Sequence, residues 1–376
     1  MPAKKTIGIG LIGSGFMGKA HALAYRSVSG VFTMPAQPVL ELIADATPEL
    51  AARAASELGF ARSTGDWRAL VADPKVDVVS ITTPNALHVP MALAAIAAGK
   101  HVHCEKPLAP SALQARELAD KAAAAGVISQ VGFNYLKNPM IALAREIIAS
   151  GEIGDIVSFR GIHAEDYMAD ASTPWHFRLD PAGGGGVVAD LGSHITSVAR
   201  HLLGPISAVC GQLQTVIQQR PESAGNARMR AVAVDDIAHA LLRFERGCVG
   251  TLEASWVARG RKMQIDFEIT GSKGALVFSQ ERFNELRLYK AETNSSRNGF
   301  RTILAGPDHA PYGAFCPAPG HQIGFNDLKV IEMRDFLLAI AGEPVKGADF
   351  REGWEVQKVV DAIIQSSREG GWVTPR

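Results

Sequence analysis

The chain has 376 residues, which at roughly 150 residues per domain predicts two domains. Apolar residues (47%) and charged residues (20%) exclude a disordered chain, and the zero net charge excludes binding to nucleic acid through bulk charge. The 4 cysteines form no CxxC pair and no apolar run is long enough to cross a bilayer, so we expect a cytoplasmic protein without membrane or nucleic-acid partners.

Strand and helix patterns alternate in the first third of the chain. Strands are predicted at residues 6–12, 39–44, 76–82, 101–104 and 127–132, and helices at 18–27, 48–58, 89–98 and 111–125. Strict alternation of this kind is typical of βαβ units around a parallel sheet. We therefore expect an α/β domain over residues 1–138.

The pattern changes after residue 138. A helix at residues 140–150 precedes strands at 156–164, 208–218, 237–244, 249–256, 263–270 and 275–278, and helices at 328–341 and 353–367 end the chain. Short turns between neighbouring strands indicate antiparallel pairing. Residues 139–376 are predicted to form an α+β domain with a large, mostly antiparallel open sheet, a surface loop at 294–319 and a last helix that packs back on the first domain.

A glycine motif follows the first predicted strand. Gly13, Gly15 and Gly18, with Phe16 and Met17 between them, match GxGxxG and open a predicted helix. The first glycine permits a tight turn, the second lets the backbone approach a pyrophosphate, and the third lets helix and strand pack closely. The motif predicts a Rossmann dinucleotide-binding domain, with an ordinary glycine-rich turn as the alternative.

Asp45 ends the second predicted strand, where a carboxylate can accept the hydroxyl groups of the adenosine ribose. The same carboxylate would repel a 2′-phosphate, and Ala46-Thr47-Pro48 offers no arginine to bind one. We therefore expect NAD rather than NADP. The alternative is that Asp45 caps the next helix.

Two further turns follow strands of the predicted parallel sheet. The first is Thr83-Pro84-Asn85, with His88 on the next helix, and the second is Glu105-Lys106-Pro107. Ligands bind outside the carboxyl ends of such strands, so Asn85 and Lys106 are expected to face the cofactor cleft. A lysine there can hold a substrate hydroxyl and help its proton leave. A solvated loop lysine is the alternative.

His101 and His103 lie on one face of a predicted strand, with Glu105 next on that face. Such spacing can bind zinc. Because no second cluster of ligands is evident in the sequence, we expect no metal.

A run of four glycines, at residues 183–186, precedes Asp190 and His194. Residues four apart share one face of a helix. An aspartate beside a histidine fixes its tautomer and favours the imidazolium form, which suits a general acid/base. A structural pair at the start of a helix is the alternative.

Aromatic and polar residues near these motifs suit a carbohydrate, because rings can cover C–H faces while polar groups bind hydroxyls. The candidates are Tyr135, Asp166, Tyr167, Trp175 and His176. The alternative is that these aromatic residues belong to the core.

Together, GxGxxG, Thr83-Pro84-Asn85, Glu105-Lys106-Pro107 and Asp190-Leu191-Gly192-Ser193-His194 resemble the glucose–fructose oxidoreductase, inositol dehydrogenase and rhizopine-catabolism family (Gfo/Idh/MocA). The resemblance spans nearly the whole chain and is strongest to its levoglucosan dehydrogenase-like branch. It implies an NAD-dependent dehydrogenase that acts on a secondary hydroxyl of a sugar, anhydrosugar or inositol. It also implies a homodimer or homotetramer built through the second domain.

The resemblance further implies residue roles. Lys106, Asp190 and His194 would form the catalytic set, with either Lys106 or His194 accepting the proton. Glu105 and Asn85 would hold the nicotinamide half of the cofactor. Two other functions stay open at this point: a redox-neutral NAD-dependent glycosidase of the same family, and a non-catalytic sensor that only binds NAD.

Overall fold

A computed structural model describes residues 5–291, 295–344 and 347–376, so residues 1–4 of the predicted first domain lie outside it. The chain forms two compact units. Unit 1 is Met1–Lys137 with Gly324–Glu355, and unit 2 is Asn138–Ile323 with Val356–Arg376. The sequence predicts one domain over residues 139–376. This division instead places Gly324–Glu355 in unit 1, because the helix that begins at Phe325 packs against the first helix of that unit. Among the described residues, no helix has the length and apolar character needed to span a membrane.

Unit 1 is built on a six-stranded parallel sheet in the order β3-β2-β1-β4-β5-β6. The strands are β1 (Thr6–Ile12), β2 (Gln37–Ala44), β3 (Arg62–Thr64), β4 (Val78–Ile81), β5 (His101–Cys104) and β6 (Ser129–Val131). The helices are α1 (Phe16–Val31), α2 (Pro48–Leu58), α3 (Trp67–Ala72), α4 (His88–Ala97) and α5 (Ala112–Ala125). This strand order belongs to the doubly wound Rossmann fold, so the predicted fold class is confirmed.

Two short elements of unit 1, the strand β3 and the helix α3, were not predicted. β3 and α3 are three and six residues long, too short to show a period in the sequence. The late helix α8 (Phe325–Ile340) also belongs to unit 1, where it packs on α1. Two of its apolar residues, Leu328 and Phe336, are fully buried. Burial of that apolar face explains why the chain returns to the first unit.

Unit 2 contains an eight-stranded sheet in the order β16-β15-β14-β13-β7-β12-β11-β8. The strands are β7 (Ile156–Ala164), β8 (Ile206–Gln214), β11 (Ile237–Phe244), β12 (Val249–Ser255), β13 (Gln264–Gly271), β14 (Gly274–Ser279), β15 (Glu285–Lys290) and β16 (Arg301–Leu304), and a separate hairpin pairs β9 (Gln219–Pro221) with β10 (Met229–Ala231). Only β7 and β12 pair in parallel within the large sheet, which confirms the mostly antiparallel prediction.

The predicted surface loop at residues 294–319 is wrong in one part. β16 lies inside it and forms the edge of the large sheet through pairing with β15. Asn294, at the start of that loop, lies outside the described residues. A four-residue edge strand inside a stretch rich in glycine and proline gives no periodic signal in the sequence.

Helices cover one face of the large sheet. The other helices are α6 (Pro139–Ala149), α7 (Ser193–Leu203) and α9 (Phe350–Glu369), the last of which begins in unit 1 and continues in unit 2. A Cβ on Gly161 would meet Ile195 of α7, and a Cβ on Gly211 would meet Ile363 of α9, so both helices pack on the same face. The opposite face carries Leu241, 50% exposed, and a shallow cavity of about 670 Å³.

Candidate active site

The glycine loop between β1 and α1 has the geometry that its motif predicts. Gly13 adopts φ 94°, and a Cβ on Gly18 would lie 2.2 Å from the carbonyl oxygen of Gly13. Apart from Gly15 and its two chain neighbours, no heavy atom of the described residues lies within 4 Å of the position that a Cβ on Gly15 would take. The loop therefore combines a tight turn, close packing of helix on strand, and open space above Gly15, where α1 begins.

Asp45 lies beside this loop, at the end of β2. The backbone N–H of Ser14 donates to Oδ2 of Asp45 at 2.9 Å, and that of Ala46 donates to Oδ1 at 2.7 Å. The hydroxyl of Ser14 also contacts Oδ2. The next helix, α2, is capped by Thr47, whose Oγ1 accepts the N–H of Leu50 at 3.2 Å. The alternative that Asp45 caps α2 is therefore wrong.

His88 joins the two predicted cofactor turns. Its ring is fully buried, with Nε2 2.9 Å from the carbonyl oxygen of Thr83 and Nδ1 2.9 Å from that of Pro107. Burial lowers its pKa. Because the buried ring lies between these two carbonyl oxygens, His88 supports both turns from within unit 1, and its predicted contact with the cofactor stays a prediction.

The other residues of these turns lie at the surface or just beneath it. Asn85 is 8% exposed and opens a short 3₁₀ turn, and Pro84 is exposed. Thr83 and Lys106 are half-buried. These residues follow β4 and β5 directly, at the edge of the sheet where the sequence places them.

Glu105 is more deeply buried than the sequence suggests. Its Oε1 accepts from Nε2 of His21 at 2.9 Å and from Nζ of Lys329 at 2.7 Å, and its Oε2 accepts the backbone N–H of Lys106 at 3.2 Å. Burial alone would raise the pKa of Glu105, but Lys329 and His21 hold it well below the usual value. Both oxygens are thus engaged inside unit 1, whereas the family resemblance implies a contact with nicotinamide.

The two histidines of the zinc alternative make separate contacts. Nδ1 of His101 accepts the N–H of Ile128 at 3.0 Å, and the His103 ring stacks on His21 with centroids 4.6 Å apart. Within the part of the chain that the structure describes, there is no cluster of three metal-ligating side chains.

Asp190 is the centre of a polar group in unit 2. Its Oδ2 accepts from the hydroxyl of Tyr167 at 2.7 Å and from Nε of Arg178 at 3.0 Å. The side chain of Asp190 is 10% exposed and that of Arg178 is 37% exposed. Burial and the ionised Asp190 carboxylate both raise the pKa of Tyr167, so the phenol stays protonated and donates the hydrogen bond. Two side chains from separate segments, those of Tyr167 and Arg178, therefore donate to the same oxygen of Asp190.

The backbone that carries Asp190 is a π-helical turn, Val188–Gly192, followed by α7. An ordinary helix was expected here. The carboxylate of Asp235 accepts the N–H of Val188 at 2.8 Å, and the carbonyl oxygen of Asp235 accepts that of Val187 at 3.0 Å. These bonds hold the start of the turn, and burial raises the pKa of Asp235 to about 6. Widened turns of this kind are frequent at functional sites.

His194, on the first turn of α7, is 5% exposed. Its ring centroid lies 5.5 Å from that of His163 on β7. His163 in turn contacts the carbonyl oxygen of Leu191 at 3.0 Å and Oε1 of Glu165 at 3.1 Å. The role of Asp190 in orienting His194 stays a prediction.

The predicted substrate residues make separate contacts, each within its own unit. Asp166 accepts from Nζ of Lys262 at 2.8 Å, and the Arg230 guanidinium lies 3.4 Å from the ring centroid of Trp175. Tyr135 belongs to unit 1, where it is 9% exposed, and His176 lies 3.2 Å from the sulfur of Met168. Tyr167 contacts Asp190.

Three residues of these networks were missed in the sequence. Arg178 follows Trp175 and His176 closely, so its place among polar candidates was a usable signal. Lys329 lies inside the apolar run Leu328-Lys329-Val330-Ile331, where a charge on a buried helix face indicates a buried partner. His21 gives no local signal, because its partner is 84 residues away in the sequence.

Two family models match the chain. Residues 7–133 match the oxidoreductase family with an NAD-binding Rossmann fold, and residues 141–277 match the GFO/IDH/MocA C-terminal domain. The chain belongs to the GFO/IDH/MocA family. The predictions of an NAD-binding oxidoreductase and of this family are therefore confirmed.

Several relatives resemble the chain over most of its length. A levoglucosan dehydrogenase from Pseudarthrobacter phenanthrenivorans is 42% identical, with 98% of each chain covered. A solved structure of levoglucosan dehydrogenase in complex with NADH and levoglucosan is 42% identical, with a TM-score of 0.95 over 99% of this chain and 100% of the other. A D-xylose 1-dehydrogenase (NADP(+)) from Haloferax volcanii is 32% identical over 86% of this chain and 88% of its own length.

Proposed function

We propose that this chain is an NAD-dependent dehydrogenase that oxidises a secondary hydroxyl of a sugar, anhydrosugar or inositol. The observation that carries the proposal is the 42% identity to a levoglucosan dehydrogenase over 98% of the chain. Lys106, Asp190 and His194 are all present, which supports an active enzyme. Within this substrate group we favour an anhydrosugar of the levoglucosan class.

The glycine loop fits the diphosphate of the cofactor. The open space above Gly15 lets the backbone approach an anion, and the start of α1 at Phe16 and Met17 offers backbone N–H groups and the positive end of a helix dipole. Asp45 would bind the adenosine ribose, and the turn Thr83-Pro84-Asn85 would hold the nicotinamide half. Bound NAD supplies the hydride acceptor.

The protein itself must hold the substrate and move one proton. We assign the hydroxyl proton to the amine of Lys106 or to the ring of His194, since either group can act as a general base. Tyr167 and Arg178 fix the orientation of the Asp190 carboxylate by donating to one of its oxygens. Tyr135, Trp175, His176 and Asp166 are further substrate contacts in this proposal.

We also propose that the chain forms a homodimer or homotetramer through the open face of the large sheet. One row across that face contains Cys210, Leu241, Thr251 and Arg160, in register on β8, β11, β12 and β7. The exposed Leu241 in this row favours coverage by another protein surface.

The cytoplasmic location and the domain boundary at residue 138 stay predictions.

A screen for NAD reduction tests the proposed activity. The purified chain is mixed with NAD and with levoglucosan, inositols or aldoses, and NADH absorbance is recorded. We expect the wild type to form NADH with an anhydrosugar, and we expect Lys106→Ala to form none. Cleavage of a glycoside without net NADH would favour the redox-neutral glycosidase. Tight NAD binding without turnover of any sugar would favour the sensor.

A further inference from the structure

A buried ion cluster lies behind the turn that carries Lys106. Lys329, on α8, is fully buried, and its Nζ donates to Oε1 of Glu105 and to Oε2 of Glu332, both at 2.7 Å. His21, on α1, donates to the same oxygen of Glu105 at 2.9 Å. Two helices therefore converge on one carboxylate, which directly precedes Lys106 in the chain.

The backbone at Gly132 packs closely against this carboxylate. A Cβ on Gly132 would lie 2.5 Å from Oε1 and 2.7 Å from Oε2 of Glu105, so a side chain at that position would displace the carboxylate. Oε2 accepts the backbone N–H of Lys106 at 3.2 Å. The position of the Glu105 carboxylate therefore restrains the backbone of Lys106.

Lys329, Glu105 and Glu332 keep their charges although they are buried. Burial alone would lower the pKa of Lys329, but Glu105 and Glu332 raise it above the usual value. Burial would raise the pKa of Glu332, but Lys329 and His103 lower it to about 2. Buried ion pairs seldom stabilise a fold more than apolar packing of the same volume would. Stability alone therefore gives no reason for these charges on a helix that packs on α1.

We propose that Lys329 is a positioning residue for the reaction. It holds the Glu105 carboxylate, which in turn fixes the backbone of Lys106 and so aims the amine that contacts the substrate hydroxyl. Glu332 assists by orienting the Lys329 ammonium group. The inference rests on the proposed function in one respect, the catalytic use of Lys106.

Hydrogen exchange tests the positioning without any substrate. In Lys329→Met, the amide of Lys106 should exchange faster by about tenfold, the effect of losing one hydrogen bond of ordinary strength. The matched control is Asp335→Asn on the same helix, which breaks a buried ion pair with Lys137 (2.7 Å). That control should leave the exchange of the Lys106 amide unchanged. An unchanged amide in Lys329→Met would overturn the proposal.

Turnover supplies the second measurement. Lys329→Met should lower kcat and kcat/KM by the same factor, on the order of 10- to 100-fold, because a misplaced reacting group loses transition-state interactions. Asp335→Asn should keep kcat even if its Tm falls. Equal losses of kcat in the two variants would overturn the proposal.

A double variant separates the positioning of Lys106 from the balance of buried charges. It also replaces Lys329→Met as the test if that single variant does not fold. Lys329→Met with Glu332→Gln removes one charge of each sign, so its Tm should approach that of the wild type while kcat stays low. Full recovery of kcat would overturn the proposal. If the wild type oxidises no sugar, the proposed function fails, and the exchange of the Lys106 amide still decides the positioning role.

Discussion

Replacement of Asp45 by asparagine tests the choice between NAD and NADP. The Asp45 carboxylate is half-buried and held by the N–H groups of Ser14 and Ala46, so it cannot turn away from a ligand at the loop without losing both bonds. A 2′-phosphate on the adenosine ribose would lie close to it. Asparagine keeps the size and shape of the side chain and removes the charge.

The magnitude follows from Coulomb's law. Two unit charges 4 Å apart repel by about 1 kcal/mol in bulk water and by about 4 kcal/mol at an effective dielectric constant near 20. A half-buried carboxylate lies between these limits, so we expect about 2 kcal/mol for a single phosphate charge. A phosphate carries about 1.5 to 2 negative charges at pH 7, so the preference for NADH over NADPH should be at least roughly 30-fold. Asp45→Asn should reduce this preference to within about fivefold, mainly by improving NADPH binding.

Fluorescence titration with NADH and with NADPH, in the absence of sugar, measures both dissociation constants. Asp120→Asn is the matched control, because Asp120 lies on α5 with a side chain that is 56% exposed. That control should leave both constants unchanged. A preference for NADH that persists undiminished in Asp45→Asn would refute the electrostatic explanation.

Three further outcomes are expected. Burial lowers the pKa of His21 to about 3, so below pH 6.5 the unfolded chain takes up a proton that the folded chain does not. The free energy of unfolding should therefore fall by up to about 1.4 kcal/mol per pH unit between pH 6.5 and 3. Urea titrations at several pH values measure this slope, and His21→Gln should flatten it. Tyr167→Phe removes one donor to Asp190 and should lower kcat by roughly tenfold with NADH binding unchanged; full activity would exclude a role for that bond. Leu241→Arg should shift the oligomer toward monomer in light scattering, and an unchanged mass would place the interface elsewhere.

Local backbone geometry is what the sequence predicted best. The roles of Gly13, Gly15 and Gly18 follow from the space that a Cβ would occupy within a few residues, so the motif alone specifies the loop. The ends of α5 also depend on local sequence, since Ser111 caps the helix and Gly126 ends it with φ 65°. Regular alternation of strand and helix patterns likewise predicted the parallel sheet, except for β3 and α3, which are too short to show a period.

Contacts between distant segments required the tertiary structure. The pairing of Lys329 with Glu105 joins residues 224 positions apart, and it forms because α8 returns to unit 1. The π-helical turn before α7 depends on Asp235, which lies 47 residues after Val188. The sequence indicates that Lys329 has a buried partner, but it does not show which residue that partner is. A buried charge selects its partner by position in space and not by distance along the chain. The sequence therefore determined the fold class, the family and the cofactor loop, whereas the tertiary structure decided which side chains hold Glu105 and Asp190.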